Sequence, residues 1–337
     1  MVLMTTVEDF LERGKLLSPD VVEDIDSLDD EAKEKLFEKD GLVIRRKDFE
    51  DVNRPKPRIV VNNHEGREEL HVSDFTEFYL ERFEFLKDEV RNRLDGEEIS
   101  SINNVSSGKT SVIGMVRKVD DGKVLLEDKT GELILKTDKK FLEDEVVGVK
   151  GRVIRNEDVT MSPEKIIYPD VPLSKEVRTL DDDLKALFVS EVNEKIENLV
   201  EEKEIDYVFS TSKDSPDNVV HISNEAGELS DIDPVRCDLG ELRILIHNGD
   251  SVKKAEDSLD LDRREALISI LKRRHLDPIE MHSLNDRYLL RKVPDIVHVS
   301  DDEGISVNYK GVTLVSTTEN RAYIINLKTR DVEEVEL

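Results

Sequence analysis

The sequence predicts a multidomain α+β protein with a small N-terminal helical domain, a small closed β-barrel and a mixed α/β sandwich. Three observations carry this prediction. Between Val112 and Pro172 apolar and polar residues alternate with a period of two. Before that stretch apolar residues recur at helical spacing. After it, short apolar runs flank one helical stretch and then follow one another as strands.

In chain order, Val7, Phe10 and Leu11 fall on one helical face, and Gly14 is placed to end that helix. Ser18-Pro19-Asp20 reads as a helix start, with serine at the cap and proline in the first turn. A third helix is predicted from Leu28 to Phe37 and a short strand after Gly41. Asn53 to Arg58, with Pro55 and Pro57, reads as an extended linker. Val72 to Leu94 reads as one long helix capped by Ser73, and its stripe of Phe75, Phe78, Tyr79, Phe83, Leu86 and Val90 is read as core.

The period-two stretch holds VIGMVRKV, KVLLEDKT, ELILKT and VVGVKGRV, separated by turns at Asp121-Gly122, Thr130-Gly131 and Asn156-Glu157-Asp158. Five short strands within so few residues predict a barrel of the OB type. Gly114 and Gly148 inside strands are read as bulges or barrel corners. Beyond Pro172, LKALFV and DYVF flank a helical stretch from Glu191 to Lys203, giving β-α-β order. NVVHI, LRILI, a helix from Arg263 to Arg274, and DIVHV, GISVNY, GVTLVS and AYIINL complete the sandwich. The implied boundaries are 1–50 for the helical domain, 51–100 for linker and long helix, 101–173 for the barrel and 174–337 for the sandwich.

The 337 residues carry 78 acidic and 50 basic side chains, a formal net charge of -28. That balance opposes autonomous binding to nucleic acid, because phosphates are repelled. It leaves room for DNA contact within a complex whose other member is basic. One cysteine, Cys237, excludes an internal disulfide and a cysteine zinc cluster, and fits a reducing cytoplasm. Nothing resembles a signal peptide or membrane span. With no tryptophan, platforms for stacking bases are sparse. The GKT at Gly108 lacks the preceding glycine of a Walker motif, and no Ser/His/Asp or Cys/His arrangement is readable.

Nine stretches in order resemble the small subunit of archaeal family D DNA polymerase. FLERGKLLSPDVVEDI is similar to that family's N-terminal helical domain, and VSDFTEFYLERFEFLKDEV to its helix before the barrel. VIGMV, LEDKTGELIL, EDEVVGVKG and IIYPDVP resemble its OB domain. LKRRHLDPI, VPDIVHV and NYKGVTLVSTT resemble the end of its calcineurin-like phosphoesterase domain. The resemblance implies that the sandwich is a calcineurin-like fold, here shortened. It also implies a cytoplasmic partner, the large catalytic subunit, with DNA bound as part of the heterodimer and no membrane.

In that family the phosphoesterase domain resembles a two-metal nuclease working in the 3′→5′ direction, which needs Asp, His and Asn ligands to hold the ions. The family pattern is Asp-x-His, Gly-Asp-x-x-Asp, Gly-Asn-His-Asp, a lone His, then Gly-His-x-His. This chain departs at each. It has Glu191 and Asn193 after the first strand, Asp214 after the second, Asn224 after NVVHI, Asn248 after LRILI, and Asp301 and Glu303 after VPDIVHV. These positions are read as vestigial, so no catalytic residue, metal ligand or cofactor is expected. The alternative is an altered carboxylate site of Glu191, Asp214, Asp250, Asp301 and Glu303 holding Mn²⁺ or Mg²⁺. The remaining histidines, His64, His71, His221, His275, His282 and His298, are read as ordinary surface or core residues, and Lys272, Arg273, Arg274 and His275 as complements to a helix dipole.

The expected function is therefore a non-catalytic accessory subunit of a family D DNA polymerase in replication. Two alternatives are a metal-dependent 3′→5′ exonuclease subunit and a single-strand-binding OB protein. For the last, Arg117, Lys118, Lys123 and Lys136 are the candidate DNA contacts.

Overall fold

The chain divides at Pro57 into two units, Met1–Pro57 and Arg58–Leu337. The structure, a computed structural model, describes residues 6–39, 41–60, 72–94, 98–211, 220–222, 225–226, 233–279 and 286–337. Among the described residues no helix is long and apolar enough to cross a membrane.

The first unit runs α1 (Thr6–Glu12), β1 (Leu16–Leu17), α2 (Pro19–Val22), α3 (Asp30–Glu38), β2 (Val43–Ile44) and α4 (Arg46–Asn53). Gly14 takes φ +77° and turns the chain out of α1. The Asp29 carboxylate accepts from the Ala32 N–H at 2.7 Å and fixes the start of α3. Phe10, Val21, Ile25, Leu36, Ile44 and Phe49 close a small core. Helix α4 occupies residues to which the sequence reading gave no element, apart from Arg46 in the predicted strand and Asn53 in the predicted linker. Only Phe49 and Val52 mark its inner face, too sparse a period to read.

The second unit opens with β3 (Pro57–Ile59) and α5 (Val72–Arg91), whose Ser73 cap lies outside the described side chains. The barrel follows: β4 (Gly108–Asp120), β5 (Lys123–Asp128), β6 (Gly131–Lys136), β7 (Val146–Arg155) and β8 (Val159–Ile167). It closes in the order β4-β5-β6-β8-β7, with β6 and β8 parallel and the other ladders antiparallel. A closed five-stranded barrel in this order is an OB-type fold. Val112, Val116, Val124, Leu126, Leu133, Leu135, Val149 and Met161 fill its interior. Ile102 and Val105, beside a 3₁₀ turn, join the same core.

Helix α5 packs on the outside of β4 and β7. A Cβ at Gly148 would stand 2.6 Å from Val90 and 3.1 Å from Leu94. Gly148 is therefore glycine because a helix needs the space. The bulges predicted at Gly114 and Gly148 fall instead between Val116 and Lys118, where Arg117 is the extra residue, and between Lys150 and Gly151.

The remaining chain runs β9 (Lys185–Val189), α6 (Glu194–Lys203), β10 (Tyr207–Ser210), β11 (Val220–Ile222), β12 (Glu225–Ala226), β13 (Val235–Leu239) and β14 (Leu242–His247). Then come α7 (Asp250–Leu259), α8 (Arg263–Arg273), β15 (Ile296–Ser300), β16 (Ile305–Tyr309), β17 (Val312–Thr317), β18 (Arg321–Asn326) and β19 (Val332–Glu336). Among the described residues two six-stranded sheets form, ordered β12-β11-β10-β9-β18-β19 and β16-β17-β15-β14-β13-β3. Phe188, Phe209, Cys237, Ile244, Ile246, Ile296, Val315 and Tyr323 pack between them. Leu245, Val297 and Leu314 point the other way, into α7 and α8. Leu187, Val189, Val208 and Ile324 meet α6. The architecture is thus four layers, α-β-β-α, with strands hydrophobic on both faces.

Buried ion pairs join barrel, α5 and sandwich. The Arg273 guanidinium donates to Glu145 in the loop before β7, both groups nearly inaccessible. Arg82 of α5 donates to Asp286 at 2.6 Å and to the Pro278 carbonyl at 2.6 Å. Burial raises the Glu145 pKa, and the neighbouring Arg273 charge opposes that rise. Arg273→Met leaves a buried, uncompensated carboxylate and should cost about 3–5 kcal/mol in denaturant unfolding. The Glu145→Leu/Arg273→Met double variant removes both charges and should recover most of that loss. Equal losses in the single and double variants would show that the pairing is not what matters.

Candidate functional site

The carboxyl ends of β9, β10, β14 and β15 are where ligands gather on an open α/β sheet. At the end of β9, Glu191 is exposed, and the Asn193 carboxamide caps α6 by accepting from the N–H groups of Lys195 at 3.0 Å and Ile196 at 3.3 Å. Asp214 and Asn224 lie outside the described residues, as do His64, His71 and His282 and the side chain of His221.

At the end of β14, Asn248 and Asp250 bond reciprocally. The Asn248 amide donates to the Asp250 carboxylate at 3.0 Å, and the Asp250 N–H donates back at 3.0 Å. Gly249 between them takes φ +87°, and a Cβ there would lie 2.2 Å from the Ser300 carbonyl oxygen. Glycine here lets the β14 and β15 ends touch. His247 is held on both ring nitrogens, 2.7 Å from an Asp233 oxygen and 2.7 Å from the Ser251 hydroxyl. This is a serine–histidine–aspartate series that the sequence did not reveal, because Asp233 and Ser251 flank the histidine from different elements. A nucleophile needs an approach path. Ser251 is 4% exposed in the first turn of α7, so the series anchors that helix rather than meeting a substrate.

At the end of β15, the Asp301 carboxylate is fully buried and occupied. Arg263 donates to one oxygen, and the Lys253 ammonium lies 3.2 Å from the other. Lys253 also reaches Asp302 at 2.9 Å, and Arg263 reaches Glu256 at 2.7 Å. Glu303 is exposed. The fold thus draws Asn248, Asp250 and Asp301 toward one corner, but it surrounds the deepest carboxylate with cations from α7 and α8. Among the described residues no three histidine, cysteine, aspartate or glutamate side chains form a metal-holding group. Sequence reading missed Lys253 and Arg263, which sit on helices distant in sequence from Asp301. No local signal marks such a pair.

The helix-end cations Arg273, Arg274 and His275 do more than complement a dipole. Arg273 binds Glu145. Arg274 donates to the carbonyls of Leu290 at 2.8 Å and Arg291 at 2.9 Å, and the His275 Nε2 is 2.9 Å from Asp286. Burial holds His275 below its ordinary pKa, against the pull of Asp286. Burial pushes the Cys237 thiol up to about 12, so it supplies no thiolate at neutral pH.

On the barrel, Arg117 is taken by Glu127 at 2.8 Å and Asp144 at 2.7 Å, and Lys118 by Asp120 at 2.7 Å. Lys123 and Lys136 are exposed and stand directly opposite each other across β5 and β6. No aromatic side chain lies on either strand.

Neither the family models nor the curated proteins compared with the chain include a match. Among solved structures, the telomere capping protein Ten1 from Saccharomyces pombe is similar at 19% identity and TM-score 0.19, over 21% of this chain and 79% of that one. The second OB-fold domain of replication protein A from Methanococcus maripaludis is similar at 16% identity and TM-score 0.18, over 24% and 100%. The S. pombe Stn1-Ten1 complex is similar at 17% identity and TM-score 0.19, over 33% and 93%. Likeness at this level carries nothing about function.

Two outcomes follow from the site. Arg263→Met strands the buried Asp301 and should lower stability by about 3–5 kcal/mol, whereas Lys253→Met, at a half-exposed position, should lower it by under about 1 kcal/mol. Thermal melts would reveal a reversed order if Lys253 were the essential cation. Burial holds His298 neutral, with a pKa near 3 against an ordinary 6.5. The unfolded chain then binds the proton that the folded chain refuses. Stability from this group is full above pH 6.5 and falls as pH drops toward 3. His298→Leu should flatten that slope by up to about 1.4 kcal/mol per pH unit, measured by urea unfolding across the range.

Proposed function

We propose that the chain is a non-catalytic accessory subunit of the family D DNA polymerase type, which binds a large catalytic subunit and stabilises the holoenzyme. The observation that carries this reading is the buried Asp301, whose carboxylate is met by Arg263 and Lys253. In a two-metal phosphoesterase the corresponding strand end carries histidines that face metal ions, which activate water. Here it carries Asp301, which two side-chain cations neutralise, and Asn193 is spent capping a helix. On this reading the four-layer domain is a shortened calcineurin-like phosphoesterase fold that keeps its core while its site has become structural. Docking to the large subunit uses the barrel and the sandwich, and DNA is met within the complex.

The second reading, single-strand binding by the barrel, has one observation in its favour, the opposed lysines Lys123 and Lys136. Against it stand the net charge of -28 and the absence of aromatic side chains from β5 and β6, the strands that carry the two lysines.

The test is recovery of the chain from its own cell lysate at near-native salt, with bound proteins identified by mass spectrometry. A large polymerase subunit in near-equal amount is the expected result, and purified chain with Mn²⁺ should leave single-stranded DNA intact. A chain that runs alone would overturn the accessory role. Metal-dependent 3′→5′ shortening abolished by Glu191→Ala or Asp301→Ala would restore the exonuclease alternative.

A further inference from the structure

The outward face of β5 and β6 sorts its charges into rows. Lys123 stands opposite Lys136, Leu125 opposite Ile134, and Glu127 opposite Glu132. Side chains alternate between barrel interior and exterior, so all six face outward while Val124, Leu126, Leu133 and Leu135 face in. Like charges directly opposite on a sheet are destabilising, and opposite charges contribute roughly 0.2–1 kcal/mol per pair. Exchanging Lys123 with Glu127 alone would convert two repulsive pairs into two attractive ones. The chain forgoes that local gain and instead presents a basic row, an apolar row and an acidic row, about 7 Å apart.

The apolar row runs beyond the hairpin. Thr160 stands opposite Ile134, and Ile154, 50% exposed, stands opposite Thr160. Among the described residues Lys123, Lys136 and Glu132 are open to an external partner, whereas Glu127 is already held by Arg117. Asp120, which faces Lys123, is drawn to Lys118 at 2.7 Å, and Glu127 shares its carboxylate with Arg117 at 2.8 Å. Lys136 and Glu132 form no ion pair among the described residues.

A surface ordered basic, apolar, acidic is complementary to itself. Rotating a second copy by half a turn about an axis along the Leu125–Ile134 row places its acidic row over the first copy's basic row and apolar on apolar. We propose that this face is an isologous contact between two copies of the chain, with Lys136 pairing to Glu132 and Lys123 to Glu127 across the two-fold. The contact is small, at the low end of specific interfaces, so the dimer is concentration-dependent. Two chains of net charge -28 repel at long range, so association strengthens as salt shortens the screening length from about 30 Å at 0.01 M to about 8 Å at 0.15 M. This inference does not rest on the polymerase reading.

Sedimentation velocity on the full chain tests it. A monomer–dimer equilibrium is expected at 0.15 M salt. Lys123→Glu/Lys136→Glu and Glu127→Lys/Glu132→Lys should each abolish self-association by at least about tenfold, because each leaves two like rows facing. Each set keeps the pairs across β5 and β6 alike, and the one ion pair lost, Arg117–Glu127, is half-exposed and contributes little to stability, so circular dichroism should be unchanged. Mixing the two variants should restore a dimer, as should combining all four changes in one chain. Oxidation of an Ile134→Cys variant should give a disulfide-linked dimer, since each copy of that residue meets itself near the axis. The native Cys237 is 1% exposed and gives no background, and Glu202→Cys on α6 serves as the control. A chain that stays monomeric at all concentrations, or variants that fail to rescue one another on mixing, would overturn the proposal.

Discussion

Three consecutive residues at the end of α8 hold the larger unit together. Arg273 reaches into the barrel to Glu145, Arg274 binds the carbonyls of Leu290 and Arg291, and His275 meets Asp286, which also receives Arg82 from α5. The Arg273–Glu145 and Arg82–Asp286 contacts join elements far apart in sequence, while Arg274 and His275 tie the end of α8 to the segment that follows it. None of these side chains could be buried alone, because an unpaired buried charge costs several kcal/mol. The barrel loop, α5 and the segment after α8 must therefore arrive together. Apolar packing of Leu142 and Val171 into the α7–α8 core and of Leu289 against α5 and the barrel is less directional than these pairs. The directional pairs specify one seating, which is the role best attested for buried charges that add little net stability.

The same logic explains the strand ends. A carboxylate at the end of β15 buried by the sandwich needs positive charge nearby, whatever supplies it. Metal ions are one solution and side-chain cations another. Arg263 satisfies two acids, Glu256 and Asp301, from one planar guanidinium, a geometry suited to a fixed internal site. With both α7 and α8 committed to Asp301, the corner becomes part of the framework. Asp295 shows the pattern again. It is fully buried, with Lys175 at 2.6 Å, Arg178 at 3.3 Å and the Arg243 N–H at 2.9 Å, which ties the linker after the barrel to the sheet.

The barrel was legible because its signal is local. Alternation sets the strands, and Asp121-Gly122 and Thr130-Gly131 set the hairpins. Strands β14, β15 and β17 were legible as short apolar runs. Helix α7 was not, since only Val252, Ala255 and Leu259 mark its buried face among charged residues. Strand β19 reads VEEVE and lies at a sheet edge, where one covered face leaves few apolar positions. At the candidate site, the loss of histidines was readable but its replacement was not. Arg263, Lys253 and Asp233 gain meaning only when the fold places them beside Asp301 and His247. The reason for Gly148 was equally hidden, because Val90 lies on a helix that gives no sequence sign of which strand it will cover.

The buried cations also bear on the protein's surface. Arg82, Arg263, Arg273, Arg274 and Lys175 are all withdrawn from solvent, each beside an acid or a carbonyl. The acids they neutralise are fewer than those that remain outside, so the exterior keeps a large negative excess. A long-range field of that sign slows approach of any polyanion and favours partners that are basic or that meet the chain through short, sorted patches. On such a surface an exposed lysine pair with no internal acid is conspicuous. The row arrangement on β5 and β6 concentrates one of the few positive features where apolar side chains can exclude water beside it. Low local dielectric then strengthens charge pairing at contact while salt screens the repulsion beyond it. An acidic protein can in this way keep a specific contact without giving up the charge that holds it apart from everything else.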